Sequence, residues 1–236
     1  MVPVRDDIPS YSRPFVVYAL IVINLVVFLY ELALGQYGLQ QMVSSFGVVP
    51  AQFTGGAPAV GLLGPYPNLI TSLFLHGGWL HLIVNMWYLW IFGDNVEDRM
   101  GHGRFLFFYL LGGIAANLSH IALNLGSTIP SIGASGAIAA VLGAYLVLFP
   151  RARIITIVPL FFIFAIRLPA AVVLGAWFVL QLFSGLGSLG VRGTAGGIAY
   201  WAHIGGFAFG LVAVRLFAPR RHPREHREWE YWRIAR

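Results

Sequence analysis

Apolar residues in this chain come in long unbroken runs, separated by short segments that hold most of its charge. Spanning a bilayer takes about 20 apolar residues, with a working range of about 17–25. Six runs approach that length, at about 14–34, 79–93, 105–124, 133–149, 168–184 and 199–217. The second is short unless residues 69–75 dip into the membrane ahead of it. The fifth opens beside Pro169, which a helix tolerates in its first turn. Residues 154–166 are also apolar, but Pro159 interrupts them and they are too few to span, so they are expected to be interfacial or re-entrant. Residues 35–68 and 185–198 are glycine-rich and are expected to be outer loops. The pattern predicts an all-α, polytopic membrane protein. Its six-transmembrane-helix bundle covers 14–217, after a short segment at 1–13 and before a tail at 218–236.

Composition sharpens this picture. Of 236 residues 58% are hydrophobic and 10% charged, where soluble domains carry roughly 25% charged residues. The mean hydropathy is +0.76. All fifteen basic residues are arginine. Arginine placement sets orientation. A cytoplasmic N-terminus puts Arg5, Arg13, Arg99, Arg104, Arg151, Arg153, Arg167 and those from Arg215 to Arg236 inside, leaving only Arg192 outside. Both termini are therefore expected to be cytoplasmic. The tail, with Trp229, Tyr231 and Trp232 among alternating arginine and glutamate, is expected to be a basic interfacial anchor. Because the arginines lie at span boundaries, the high isoelectric point argues for lipid contact and not for nucleic acid. Without cysteine, disulfides and thiolate metal sites are excluded.

Polar residues inside apolar runs are expensive and mark functional sites or packed interiors. Three segments carry them: His76 to Asn85, Gly133-Ala134-Ser135-Gly136, and Ala202-His203-Ile204-Gly205-Gly206. With the expected topology, the second, fourth and sixth spans all run from the outer to the inner face. At about 1.5 Å per residue, His81, Ser135 and His203 lie roughly 20, 22 and 18 Å above the inner ends of those spans. Asn85 stacks one turn below His81 on the same face. Four polar groups near one level imply a hydrated pocket opening outward.

A serine hydroxyl becomes nucleophilic when a neighbouring imidazole accepts its proton. Ser135 and His203 suit those roles, while Asn85, His81 and the backbone at the start of the Ser135 helix can donate to an oxyanion. No carboxylate lies at this depth on these spans, so the site is expected to be a Ser–His dyad. Each piece also has a plainer reading. Gly133-x-Ser135-Gly136 and Gly206-x-x-x-Gly210 are helix-packing motifs. His76 is expected to support the loop above the pocket, and Glu97 to cap and anchor the cytoplasmic end. His81 and Asn85 can also be read as lining a transport path or ligating a metal. One histidine plus an asparagine is a poor zinc set, though His76 and His203 offer two more nitrogens, and no metal and no cofactor is expected.

At these residues the chain resembles the rhomboid intramembrane serine proteases. The match runs through His76-x4-His81-x3-Asn85, Glu97-x3-Gly101, Gly133-x-Ser135-Gly136 and Ala202-His203-x2-Gly206-x3-Gly210, in the family's order. The resemblance implies that Ser135 is the nucleophile and His203 the base. Asn85, His81 and the Ser135 amide would form the oxyanion hole, with Gly133, Gly136, His76 and Gly206 in support. It implies cleavage of single-span membrane proteins in or beside their transmembrane segments. The fifth span, with Trp177 and Phe178, and the loop at 185–198 would move to admit them. Many relatives carry a Trp-Arg pair in the first outer loop, whereas residues 35–68 hold no arginine. The expected location is a bacterial inner (plasma) membrane, and the oligomeric state is open. The competing readings are a non-catalytic rhomboid-fold protein that binds membrane clients, and a small transporter, for which only Glu31 offers an intramembrane acid.

Overall fold

The computed structural model describes residues 2–58, 63–159, 163–188 and 199–218. A helix occupies each of the six apolar runs: α1 (Phe15–Ala33), α5 (Trp79–Met100), α6 (His102–Leu123), α7 (Ser135–Leu148), α8 (Ala170–Ser188) and α9 (Tyr200–Phe217). Between α1 and α5 lie α2 (Gly35–Phe46), α3 (Pro50–Phe53) and α4 (Asn68–Thr71), the last followed by a 3-10 turn at Ser72–Phe74. Among the described residues, α1, α6, α8 and α9 are long and apolar enough to cross a membrane. A fifth span results if Asn68–Phe74 and α5, bent by 98° at their junction, count as one. The chain is thus a mostly helical integral membrane protein.

The fourth apolar run behaves differently from the others. With 14 residues, α7 is shorter than a span. Its residues from Gly136 to Tyr145 are all buried, so it is the bundle's central rod. A helix that is apolar all round buries all round. The chain reaches its first residue through non-helical backbone, which membrane proteins tolerate where it is enclosed by protein. Here Val48 pairs with Ser131 through two backbone bonds of 2.9 and 2.8 Å, and Gly133 N–H donates to the Ser72 carbonyl at 2.9 Å.

A three-stranded antiparallel sheet corrects the all-α expectation. Strands β2 (Arg153–Pro159) and β3 (Ile163–Pro169) form a hairpin, with β1 (Val2–Asp6) on the far side of β2. Residues 154–159 and 163–166 are therefore strand and not a re-entrant segment. Their β-branched residues favour strands, and Ile154 and Thr156, two apart, are fully buried. Pro169 ends β3, so the fifth helix starts one residue later. The loop expected at 35–68 also contains helix α2, whose Leu39, Met42, Val43 and Phe46 follow helical spacing. Of the loop expected at 185–198, residues 185–188 instead continue helix α8, while 189–198, like the tail at 219–236, lie outside the described residues.

Helix α5 runs past its expected end near residue 93 to Met100, because its carboxylates have partners there. Glu97, fully buried, accepts the Val16 and Val17 backbone N–H groups at 2.9 and 2.8 Å and so caps α1. Ser10 Oγ donates to Asp94 at 2.6 Å, and Ser12 donates to Asp98 through its backbone and hydroxyl.

The N-terminal strand is tied to the central rod as well. The Tyr145 hydroxyl donates to Asp6 Oδ2 at 2.5 Å, and Trp87 Nε1 donates to the Pro3 carbonyl at 2.8 Å. Burial raises the Asp6 carboxyl from its ordinary 3.8 to about 7, with Asp94 adding to the rise and the Tyr145 bond opposing it. The native state therefore holds this proton more tightly than the unfolded chain does. Its stabilising contribution is full below the unfolded value of 3.8 and is lost as the pH rises to about 7. We expect the thermal midpoint of the detergent-solubilised protein to fall across that window, and Asp6→Asn to remove part of the slope. An identical slope in the variant would assign the effect to other groups.

Candidate active site

Helices α5, α7 and α9 bring their first turns together. His81 is the third residue of α5, Ser135 the first of α7 and His203 the fourth of α9. Small residues determine how closely α7 and α9 approach. A Cβ at Gly206 would overlap the Gly136 carbonyl, one at Gly210 the Ala140 carbonyl, and one at Gly143 the Phe207 carbonyl. Glycine at these places lets the two backbones touch, as small residues do wherever membrane helices cross closely. A Cβ at Gly136 would stand 2.6 Å from the Ala116 Cβ, so α6 presses on the same junction.

With the rods this close, Ser135 Oγ and His203 Nε2 lie 2.8 Å apart, a hydrogen bond across 68 residues of sequence. The opposite ring nitrogen, Nδ1, lies 3.0 Å from Gln181 Oε1 on α8. One turn earlier on α8, the Trp177 ring leans over the imidazole, with centroids 5.9 Å apart and planes 34° from parallel. Sequence reasoning missed Gln181. Its signal was a carboxamide in the fifth apolar run, four residues after Trp177.

Beside this pair the structure collects donors. The Gly77 N–H donates to His81 Nδ1 at 3.4 Å, which leaves His81 Nε2 to carry the ring proton. That nitrogen faces Gly133: a Cβ there would stand 2.7 Å from His81 Nε2 and 3.8 Å from Ser135 Oγ. Gly133 has φ +123°, a conformation that side chains disfavour, so glycine answers both the space and the backbone. Asn85 is 5% exposed, and among the described residues its amide nitrogen has no hydrogen-bond partner. Buried donors are usually paired, so this one is available to an acceptor. Ser135 opens α7, so its backbone N–H is one of the helix's intrinsically unpaired donors.

His76 is buried, and its backbone N–H donates to both Glu31 carboxylate oxygens, at 3.2 and 3.3 Å. Its ring stands edge-on to His81, with centroids 5.1 Å apart. The loop support expected of His76 thus runs through its backbone, and Glu31 on α1 is the acid that anchors it. Glu31 is fixed in a structural contact, apart from the polar cluster. Among the described residues, no three His, Asp or Glu side chains converge as a metal-binding set.

The family model of the Rhomboid domain matches residues 64–220, a stretch that contains every residue of this cluster. The chain belongs to the rhomboid family. Among curated rhomboid proteins it is 32% identical over 149 residues to Rhomboid protein 1, mitochondrial, of Saccharomyces cerevisiae, covering 61% of this chain and 40% of that protein. It is 30% identical over 154 residues to the Presenilin-associated rhomboid-like protein, mitochondrial, of Homo sapiens, covering 62% of this chain and 36% of that one. Rhomboid protease GluP of Bacillus subtilis is 43% identical over 83 residues, 35% of this chain and 16% of the relative. The chain spans about two fifths or less of the length of these relatives. Their names include mitochondrial and bacterial proteins, so they do not single out the bacterial inner membrane expected from sequence.

Proposed function

We propose that this chain is an intramembrane serine endopeptidase that cleaves single-span membrane proteins within or beside their transmembrane segments. It works from a six-span bundle with both termini in the cytoplasm. One observation carries this reading: a serine hydroxyl hydrogen-bonded to an imidazole from a separate apolar helix, 68 residues further along the chain. In this reading His203 Nε2 takes the Ser135 proton as Oγ bonds to the scissile carbonyl carbon. The carbonyl oxygen becomes an oxyanion and accepts from Asn85 Nδ2, His81 Nε2 and the Ser135 N–H. The intermediate collapses, the C–N bond breaks, and His203 passes its proton to the leaving amine. Water, deprotonated by the same nitrogen, then adds to the acyl carbon, the bond to Oγ breaks, and His203 returns the proton to Ser135 Oγ.

Because His203 must be neutral to accept a proton, activity falls on the acid side as the ring protonates. Asn85→Ala should lower kcat by about 10²–10³-fold, the usual loss for one oxyanion donor, with KM little changed. Steady-state kinetics on a fluorogenic transmembrane peptide measures this, and a loss confined to KM would assign Asn85 to substrate binding instead.

The function is tested in liposomes with a single-span model substrate. The full chain should yield two fragments, and Ser135→Ala none while still co-purifying with the substrate. Cleavage by Ser135→Ala would overturn the mechanism. Binding without cleavage by the unaltered chain would favour the non-catalytic, client-binding reading.

A further inference from the structure

We infer that Gln181 is a positioning residue for His203: its side-chain oxygen keeps the ring proton on Nδ1 and so leaves Nε2 free to receive the serine proton. The inference rests on the proposed Ser–His mechanism and adds a third member, from a helix that carries no other part of the reacting group.

A neutral imidazole has one donor and one acceptor nitrogen, and the partner of one nitrogen decides the role of the other. At His203 the two partners are Ser135 Oγ, 2.8 Å from Nε2, and Gln181 Oε1, 3.0 Å from Nδ1. A carboxamide oxygen only accepts, so Nδ1 must donate to it. The remaining lone pair then points at the Ser135 hydroxyl. With the carboxamide turned over, its NH2 would face Nδ1, the proton would sit on Nε2, and the ring could not act as base. The orientation of one amide therefore separates an active ring from an inert one.

The other groups that interact with His203 do not duplicate this contact. His81 on α5 and His120 on α6 are the titratable side chains that act on the ring electrostatically. The Nδ1 of His81 is engaged by Gly77, and that of His120 faces Asn124. Trp177 supplies a flat wall against the ring and offers Nδ1 no acceptor. Both groups that orient the ring, Trp177 and Gln181, thus lie one turn apart on α8, the least enclosed of the four single-helix spans. Helix α8 is seated on α9 by the stacked Phe178 and Phe207 rings, 4.7 Å apart, and by Gly185 against Ile204 and Trp201. The imidazole is therefore in register only while α8 rests on α9.

The test uses the full chain, reconstituted, with Gln181→Leu and Gln181→Glu beside Ser135→Ala. Gln181→Leu leaves a buried N–H unsatisfied or lets the proton move to Nε2. It should lower kcat by about ten- to a hundredfold, with KM changed by less than about twofold. Gln181→Glu restores an acceptor and adds a charge that favours imidazolium. It should retain cleavage and move the acid limb of the kcat/KM profile to higher pH. A merely structural residue would change thermal stability and leave that limb in place. Histidine-selective 15N spectroscopy, assigned with His203→Ala, should show Nδ1 protonated in the unaltered chain and the tautomer shifted in Gln181→Leu. This readout stands whether or not any substrate is cut. An unchanged tautomer, kcat and acid limb in Gln181→Leu would overturn the positioning role, whereas cleavage by Ser135→Ala would overturn the underlying mechanism instead.

Discussion

Ser135→Ala and His203→Ala should each lower kcat by about 10⁴–10⁶-fold, and the double variant should lose little more than either alone. The physical reason is that one proton is shared. The hydroxyl without its base is a weak nucleophile, and the base without the hydroxyl has nothing to deprotonate. Two side chains joined by a 2.8 Å bond therefore behave as one unit, and their losses do not add. A fluorophosphonate that esterifies activated serines gives an independent readout. It should label the unaltered chain, fail on Ser135→Ala, and label His203→Ala only slowly. Additive losses in the double variant would show that the two residues serve separate steps.

Gly206→Val should have the second-largest effect, and it acts on structure first. The new Cβ would overlap the Gly136 carbonyl, which is backbone and cannot swing aside as a flexible side chain could. Overpacking of this kind costs about 1–3 kcal/mol, occasionally more. To relieve it, α7 and α9 must separate, and a misplacement of about 1 Å in a catalytic constellation can cost about 10²-fold in rate. We therefore expect a lower thermal midpoint in detergent together with a loss of activity larger than the unfolded fraction explains. Gly175→Ala on α8 is the control, because a Cβ there meets nothing within 4 Å. If Gly206→Val kept both its midpoint and its activity, the close crossing of α7 and α9 would not be what aligns the pair.

The apolar runs made the helices legible because lipid demands continuous hydrophobicity, and each run holds a helix. The candidate cluster is legible for the complementary reason: Ser135, His203, Asn85 and His81 are polar where polarity is costly. What escaped was structure that depends on partners far away in sequence. The strands at 153–169 are nearly uniformly apolar, so no period of two distinguished them from an interfacial helix. Their third strand, moreover, comes from the N-terminus. The last turns of α5 looked too charged to continue the helix until Ser10, Ser12, Val16 and Val17 supplied partners for its carboxylates. Gln181 has no distinguishing mark in the sequence because its partner is a ring 22 residues away. Glu31 was weighed only as a transport residue, since nothing local showed that it grips the loop before α5.

The burial of α7 on every side also governs how this molecule can be influenced from outside. The rod bearing Ser135 has no annular shell of its own: acyl chains, detergents and small hydrophobic additives meet the flanking helices first. Membrane fluidity or thickness can therefore reach Ser135 only second-hand, through shifts in those flanking helices. A lipid-directed inhibitor would accordingly act as a wedge between helices.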